Sequence, residues 1–139
     1  MNKIPDKEYR YILSHIPVCC VDMVLVDGGK ALLVRRKNNP ERGKWYVIGG
    51  RVQYGEKIVD AVIRKTKEET GIDVSIYKYI GLRETVFNDR HTINFCFIVK
   101  PKNKTYDVVL DKTSDDYIWT DKCSHEYPKY VNDLLLNAL

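Results

Sequence analysis

The chain has 139 residues, of which 44% are hydrophobic and 30% charged, a balance typical of one soluble domain with one core. Its formal net charge of +4 is too small to indicate a nucleic-acid-binding protein, although it would help to attract a small polyanion. No apolar run is long enough to cross a bilayer, and the N-terminal stretch MNKIPDKEYRYIL carries charges of both signs, unlike a secretory signal. We therefore expect residues 1–139 to form a single cytoplasmic domain with neither a nucleic acid nor a membrane as partner.

The first part of the chain predicts a short helix followed by strands. Asp6 is placed to cap a helix that runs to Leu13. Runs rich in β-branched and apolar residues then predict three strands, over Val18 to Val26, Lys30 to Arg36 and Lys44 to Ile48. Asp27-Gly28-Gly29 is a tight-turn sequence, so the first two strands should form a hairpin.

The second part predicts a central helix, further strands and a last helix. Apolar residues recur at helical spacing between Glu56 and Thr70, at Ile58, Val59, Val62 and Ile63. Strands are predicted over Ile72 to Ile80, His91 to Val99 and Tyr117 to Thr120. The final helix, from about Pro128 to Ala138, should bury Val131, Leu134, Leu135 and Leu136. This order of elements favours a mixed sheet with helices against its faces.

The segment from Gly49 to Ile72 contains a set of residues that can hold a metal against a diphosphate. Glu68 and Glu69 lie near the C-terminal end of the predicted helix, where the helix dipole disfavours carboxylates and a nearby cation is needed. Magnesium takes carboxylate and carbonyl oxygens, and the carbonyl of Gly50 is a candidate ligand because glycine lets the backbone approach closely. An ordinary amphipathic helix with surface ion pairs is the alternative. The intervals from Gly50 to Glu56 and Arg64 favour the metal site.

These residues resemble the signature of the Nudix hydrolases, G-x5-E-x7-R-E-U-x-E-E-x-G-U, with U a bulky apolar residue. The residues that match at the signature's spacing are Gly50, Glu56, Arg64, Glu68, Glu69, Gly71 and Ile72. The resemblance implies the Nudix α/β/α sandwich, an α/β fold in which the motif forms a loop–helix–loop. It also implies Mg²⁺, or Mn²⁺ in its place, at Gly50, Glu68 and Glu69.

Two positions depart from the signature. Lys65 replaces its second glutamate, which in many Nudix enzymes binds metal or activates the attacking water, and Thr66 replaces an apolar residue. A protonated lysine cannot be a metal ligand and is a poor base at neutral pH. Ordinary cleavage between two phosphates is therefore not the leading expectation.

The chain also resembles one branch, the GDP-mannose mannosyl hydrolases, which lose the same glutamate and cleave at the sugar carbon. The shared features are the stretch GGRVQ, the order Arg64-Lys65-Thr66, a strand with Asp22, the pair Arg35-Arg36, and Asp115-Asp116-Tyr117-Ile118-Trp119. The resemblance implies a magnesium-dependent hydrolase of a nucleoside-diphosphate sugar that gives the nucleoside diphosphate and free hexose. It further implies a homodimer.

The predicted roles in such a reaction fall on a few cationic and acidic residues. Arg36, Arg51 and Arg64 are candidates to stabilise the departing diphosphate, since guanidinium binds phosphate oxygens in a bidentate way. A solvated strand end for Arg36 and a pair with Glu68 for Arg64 are the alternatives. Asp22 is a candidate contact to nucleotide or sugar, or else a strand residue facing solvent.

The general base is open at the level of sequence. The branch carries a histidine in the loop before the Asp-Asp-Tyr element, and this chain has Thr113-Ser114 there. Asp115, Asp116, His91 and His125 are the candidates, of which Asp116 is included among the predicted catalytic residues. Two other functions also remain open: a Nudix pyrophosphatase that cleaves the P–O–P link, and a nucleotide-sugar-binding module without turnover.

Overall fold

The computed structural model describes residues 3–139, and its elements lie close to those predicted. The helices are α1 (Asp6–His15), α2 (Ile58–Thr70) and α3 (Lys129–Ala138). The strands are β1 (Val18–Asp27), β2 (Lys30–Arg36), β3 (Trp45–Tyr46), β4 (Ile48–Arg51), β5 (Val74–Val86), β6 (His91–Pro101) and β7 (Ser114–Thr120). No helix in this part of the chain is long and apolar enough to span a membrane.

The sheet is mixed and is organised around β1. β1 runs parallel to β6 on one side and antiparallel to β4 on the other, and its last residues pair with β2. β5 lies antiparallel to β6, while β3 and β7 flank β2. The predicted hairpin is confirmed, and its turn places Gly28 and Gly29 at φ 58° and 76°, a region that glycine enters without steric cost.

Successive side chains of a strand point to opposite faces of the sheet, and α2 and α3 pack against different faces. Val21 and Met23 of β1 belong to the apolar cluster that contains Val62 of α2. Val24 belongs to a second cluster, with Leu134 of α3. The fold is therefore the predicted α/β/α sandwich, and α2 and α3 approach β1 from opposite sides.

Several local predictions are corrected. The predicted strand over Lys44 to Ile48 is two strands, because β3 pairs with β2 whereas β4 pairs with β1. α2 begins at Ile58 rather than at Glu56. α1 has Pro5 at its N-cap position without a side-chain hydrogen bond, so the predicted cap at Asp6 is wrong.

Leu136, which was predicted to be buried, is exposed, and so is Val59, which belongs to the helical apolar pattern of α2. Val59 keeps 48% of its surface accessible and Leu136 keeps 71%. Each lies on a helix beside a buried stripe, which on α2 runs through Ala61, Val62, Thr66 and Glu69. The helical pattern predicted both helices, but on each of them one of its apolar residues lies outside the buried face.

Candidate functional site

A cleft of about 220 Å³ lies beside the β1–β4 pairing. It brings together the predicted residues Asp22, Arg36, Gly50, Arg51 and Glu69, and Lys65 also lines it. The walls therefore combine carboxylates with four cations, since Arg90 lines the cleft as well. Such a mixture suits a ligand that is both anionic and bound through a metal ion.

Gly49 is the point at which two of the carboxylates meet. The antiparallel register places it opposite Asp22, and its N–H donates to Glu69 Oε2 at 3.3 Å. A Cβ at Gly49 would collide with the Asp22 carboxylate and would lie 2.5 Å from the carbonyl oxygen of Val21. The absence of a side chain at this residue is what lets Asp22 and Glu69 approach the same stretch of backbone.

Asp22 projects from β1 toward α3 rather than into open solvent. The hydroxyl of Tyr130 donates to Asp22 Oδ2, and Asn94 in turn donates to that hydroxyl at 3.0 Å. Burial raises the pKa of Asp22 to about 6, while the Tyr130 hydrogen bond and Arg36 act in the opposite direction. Asp22 is thus a carboxylate held in a fixed orientation at the wall of the cleft.

Glu69 is the most buried carboxylate of the predicted metal site, with its side chain 8% exposed. Burial raises the pKa of Glu69 to about 7, and the nearby ammonium of Lys65 lowers it. Lys65 Nζ lies 3.7 Å from Glu69 Oε2 and 3.4 Å from Glu68 Oε2. The lysine therefore points into the space between the two glutamates.

Arg64 of α2 forms hydrogen bonds with the segment that precedes this helix, from Arg51 to Glu56. Its Nε and Nη2 donate to the two oxygens of Glu56 at 2.6 and 2.9 Å, and Nη2 also donates to the Arg51 carbonyl at 3.1 Å. Its Nη1 donates to both oxygens of Glu68, at 3.0 and 3.2 Å. The predicted pairing of Arg64 with Glu68 is therefore present. Arg64 does not line the cleft, and its contacts are those of a residue that orients Glu56 and Glu68.

The oxygen atoms near Lys65 are of the type that binds a hard divalent ion. Among residues 3–139, no cluster of three or more His, Cys, Asp or Glu side chains is arranged as a metal site. Glu68 and Glu69 nevertheless converge on one cation, Lys65, and Gly50 lies beside that lysine. Magnesium commonly uses one or two carboxylates and takes its other ligands from water and substrate phosphate, and two carboxylates fall within that range.

Arg36 and Arg51 present guanidinium groups at the cleft. Arg36 donates from Nε to the Pro40 carbonyl at 2.7 Å and lies over the ring of Tyr46. Arg51 lies 5.5 Å from the ring centroid of Tyr9, which α1 supplies. Both guanidinium groups thus lie near an aromatic ring, and both residues line the cleft.

The predicted base candidates are not brought into this cleft. Asp116 is exposed on β7 and accepts from the Tyr117 N–H at 2.7 Å. Asp115 pairs with Arg35 at 2.7 Å, and His91 pairs with Glu84 at 2.8 Å. His125 is exposed and does not line the cleft either.

The Thr113-Ser114 segment lies at the edge of the cleft without offering a base. Thr113 lines the cleft, but its hydroxyl and its N–H both donate to Asp111 Oδ1. Ser114 is buried at the start of β7. Neither side chain is positioned to take a proton from water.

Sequence reasoning missed Tyr130, Tyr9 and Glu41 as parts of this site. Tyr130 is 108 residues from its partner Asp22, and no local motif links the two. Tyr9 lies in the N-terminal helix, which the signature does not include. Glu41 lines the cleft from the loop between β2 and β3. Only the three-dimensional packing reveals these residues.

Comparison with known proteins places the chain in a family. The NUDIX domain model matches residues 14–126. The low-salt glycan biosynthesis protein Agl8 of Haloferax volcanii is 40% identical over 87 residues, which are 63% of this chain and 56% of that protein. The ADP-ribose pyrophosphatase of Methanocaldococcus jannaschii is 37% identical over 95 residues, which are 67% of this chain and 55% of the enzyme. The matches thus span a little over half the length of these relatives.

The fold also resembles that of solved Nudix structures. A MutT NUDIX hydrolase from Burkholderia pseudomallei superposes with a TM-score of 0.79 at 22% identity, covering 90% of this chain and all of the other. The sequence signature, the α/β/α sandwich and the match over most of the chain agree. The chain belongs to the Nudix hydrolase family.

Proposed function

We propose that this protein is a magnesium-dependent hydrolase of a nucleoside-diphosphate sugar, similar to GDP-mannose, and that it breaks the glycosyl C–O bond. The products would be the nucleoside diphosphate and a free hexose of inverted anomeric configuration. One observation carries the proposal. Lys65 occupies the signature position of a glutamate, and its ammonium lies 3.4 Å from Glu68 and 3.7 Å from Glu69.

A lysine at this position favours attack at carbon over attack at phosphorus. A water that attacks phosphorus needs a base close to the metal-bound phosphate, and an ammonium cannot serve as that base. When the bond to the sugar carbon breaks, the diphosphate departs with the bonding electrons. Cations near it then stabilise the charge that develops.

We assign that task to cations of the cleft. Arg36 and Arg51 line it, and we propose that they bind the diphosphate oxygens. Glu69, Glu68 and the carbonyl of Gly50 are the proposed metal ligands, with Mn²⁺ as a substitute for Mg²⁺. A divalent ion held there would supply positive charge to the leaving group.

Asp22 is the proposed contact to the sugar side of the substrate. It lies against Gly49 and therefore beside Glu69, and Tyr130 and Asn94 fix its orientation. Its carboxyl group can accept a hydrogen bond from a hydroxyl or from the attacking water.

Cleavage between the phosphates is the second candidate. It is favoured by the similarity to the Methanocaldococcus ADP-ribose pyrophosphatase and by the retention of both Glu68 and Glu69. Glu41, which lines the cleft, would then be the carboxylate available as a base.

Product analysis separates the candidates. The protein would be incubated with magnesium and either GDP-mannose or ADP-ribose, and the products followed by phosphorus and proton NMR. We expect GDP and free mannose from GDP-mannose, with the inverted anomer appearing first. GMP and mannose 1-phosphate, or efficient hydrolysis of ADP-ribose to AMP, would support the second candidate. Binding without any product would support a module that lacks turnover.

We also propose a homodimer, which rests on the resemblance to the mannosyl hydrolase branch. Light scattering should then give twice the chain mass of 16.2 kDa. A mass equal to one chain at micromolar concentration would contradict this proposal.

A further inference from the structure

We propose that Lys65 is a built-in cation that keeps divalent metal weakly bound to the free protein, so that the ion enters the cleft together with the diphosphate. This inference rests on the metal ligands of the proposed function, and it does not depend on which bond is cleaved. It assigns to Lys65 a role in the order of binding.

The position of the lysine side chain supports this role. Its side chain is only 17% exposed, and its stem crosses directly over Gly50. A Cβ at Gly50 would lie 2.9 Å from Lys65 Cδ and 3.2 Å from Nζ, so the stem occupies room that another residue would fill. The ammonium is thus held in the cleft rather than extended into solvent.

The distances show an ammonium that lies between two carboxylates. Nζ is 3.4 Å from Glu68 and 3.7 Å from Glu69, both longer than the 2.7–2.9 Å common for a close charge-assisted hydrogen bond. Glu68 is held on its other side by Arg64, and Glu69 by the Gly49 N–H. The oxygens that would bind a metal ion therefore already face one positive charge.

Electrostatics then predicts competition. A divalent ion on the same oxygens would lie a few ångströms from the ammonium, where the repulsion of like charges is large in a partly buried site. The ion must displace the ammonium or tolerate it. Either cost weakens metal binding to the free protein.

A diphosphate reverses this balance. It adds negative charge and oxygen ligands, and Lys65 lines the same cleft as Arg36 and Arg51. The ammonium can then turn to a phosphate oxygen while the carboxylates bind the metal ion. Because linkage is reciprocal, metal and diphosphate should each strengthen the binding of the other.

Direct metal titration tests the inference without an activity assay. The dissociation constant of Mn²⁺ would be measured by electron paramagnetic resonance for the wild type, Lys65→Met and Lys67→Met. Lys67 is a matched control, since it lies on the same helix, pairs with Asp73 at 3.3 Å and does not line the cleft. We expect Lys65→Met to bind Mn²⁺ about tenfold more tightly or better, from the lost repulsion, and Lys67→Met to stay within about twofold because solvent screens its charge.

The same titration with saturating GDP, and in parallel with ADP, supplies the second part of the test. We expect nucleotide to tighten Mn²⁺ binding to the wild type by a larger factor than to Lys65→Met, because the wild type gains the release of its lysine. Circular dichroism would verify the fold of each variant. Lys65→Gln, which keeps a polar side chain, repeats the measurement if Lys65→Met does not fold.

Two results would overturn the inference. One is an Mn²⁺ affinity of the Lys65 variants equal to that of the wild type, including the case in which none of them binds. The other is a nucleotide effect of the same size in wild type and variant. If the wild type nevertheless hydrolyses GDP-mannose to GDP and mannose, only the role of Lys65 fails and the proposed function is retained. If Lys65→Met binds Mn²⁺ tightly but the wild type hydrolyses no sugar nucleotide, the proposed function fails and the role of Lys65 is retained.

Discussion

Glu69 is the single residue on which the proposed metal site depends most. It is buried and its pKa is raised to about 7, so its ionised form needs a cation beside it. We expect Glu69→Gln to lower kcat/KM at saturating magnesium by about tenfold or more, because the amide cannot replace the charge of a metal ligand.

Steady-state kinetics with a magnesium titration would check this expectation. Glu126→Gln is a suitable control, since Glu126 is exposed and does not line the cleft. Unchanged kcat/KM and an unchanged magnesium requirement in a folded Glu69→Gln protein would remove Glu69 from the metal site.

Glu56 and Arg64 make a different prediction, which concerns stability. The Glu56 side chain is 7% exposed and accepts two hydrogen bonds from Arg64, which hold its pKa below the ordinary value of 4.5. We expect Glu56→Gln to reduce the free energy of unfolding by about 2 kcal/mol at neutral pH, the size typical of a lost charged hydrogen bond in a largely buried site.

The pH dependence of that loss has a definite sign. A carboxylate with a lowered folded pKa stabilises the protein above its unfolded pKa, and this contribution disappears as the pH falls through the folded pKa. Urea denaturation of both proteins should therefore give a difference that is full at pH 7 and shrinks below the ordinary pKa of 4.5. A difference that is the same in acid would show that the charge of Glu56 is not the cause.

At the scale of elements, the pairing of β4 with β1 depends on Gly49. A methyl group there would collide with Asp22 and with the Val21 carbonyl oxygen, which belongs to the backbone of β1 and cannot move freely. Gly50 is a matched control, because a methyl group there would meet only the flexible stem of Lys65. We expect Gly49→Ala to destabilise the protein by about 1–3 kcal/mol and Gly50→Ala by clearly less. Equal losses in urea denaturation would contradict the close approach of β4 to β1.

The helices and strands also show which parts of the site local sequence can predict. The signature placed Glu56, Arg64, Glu68 and Glu69 on a loop and helix, and the structure has them there, because fixed spacings on a helix determine which side chains are neighbours. Asp116 could not be judged in this way. Its direction depends on the register of β7 against β2, which is a tertiary property.

The α3 helix is the clearest case of information that the local pattern lacks. Its apolar stripe predicted a buried helix, and Val131 and Leu134 are buried. Nothing in that pattern indicates that the neighbouring Tyr130 donates to Asp22 on β1, because the contact depends on which face of the sheet α3 covers. Contacts between elements distant in the chain follow from packing, which binary pattern alone does not specify.

For the whole molecule, the sandwich explains why these groups meet. α2 brings Glu69 and Lys65 to the cleft, Tyr130 of α3 orients Asp22, and Gly49 of β4 lets Asp22 and Glu69 approach the same stretch of backbone. In the proposed complex, Arg36, Arg51 and a metal ion bind the diphosphate and Asp22 contacts the sugar. The central claim is that water then attacks the sugar carbon.

Hydrolysis of GDP-mannose in oxygen-18 water tests that claim most directly, because the label marks the atom that water attacks. The identity of the products excludes cleavage between the phosphates, but attack at the phosphorus that carries the sugar would also release GDP and mannose, so the position of the label decides between these two. We predict that mass spectrometry will find the label in mannose and none in GDP. Label in the phosphate of GDP, GMP or mannose 1-phosphate would contradict cleavage of the C–O bond.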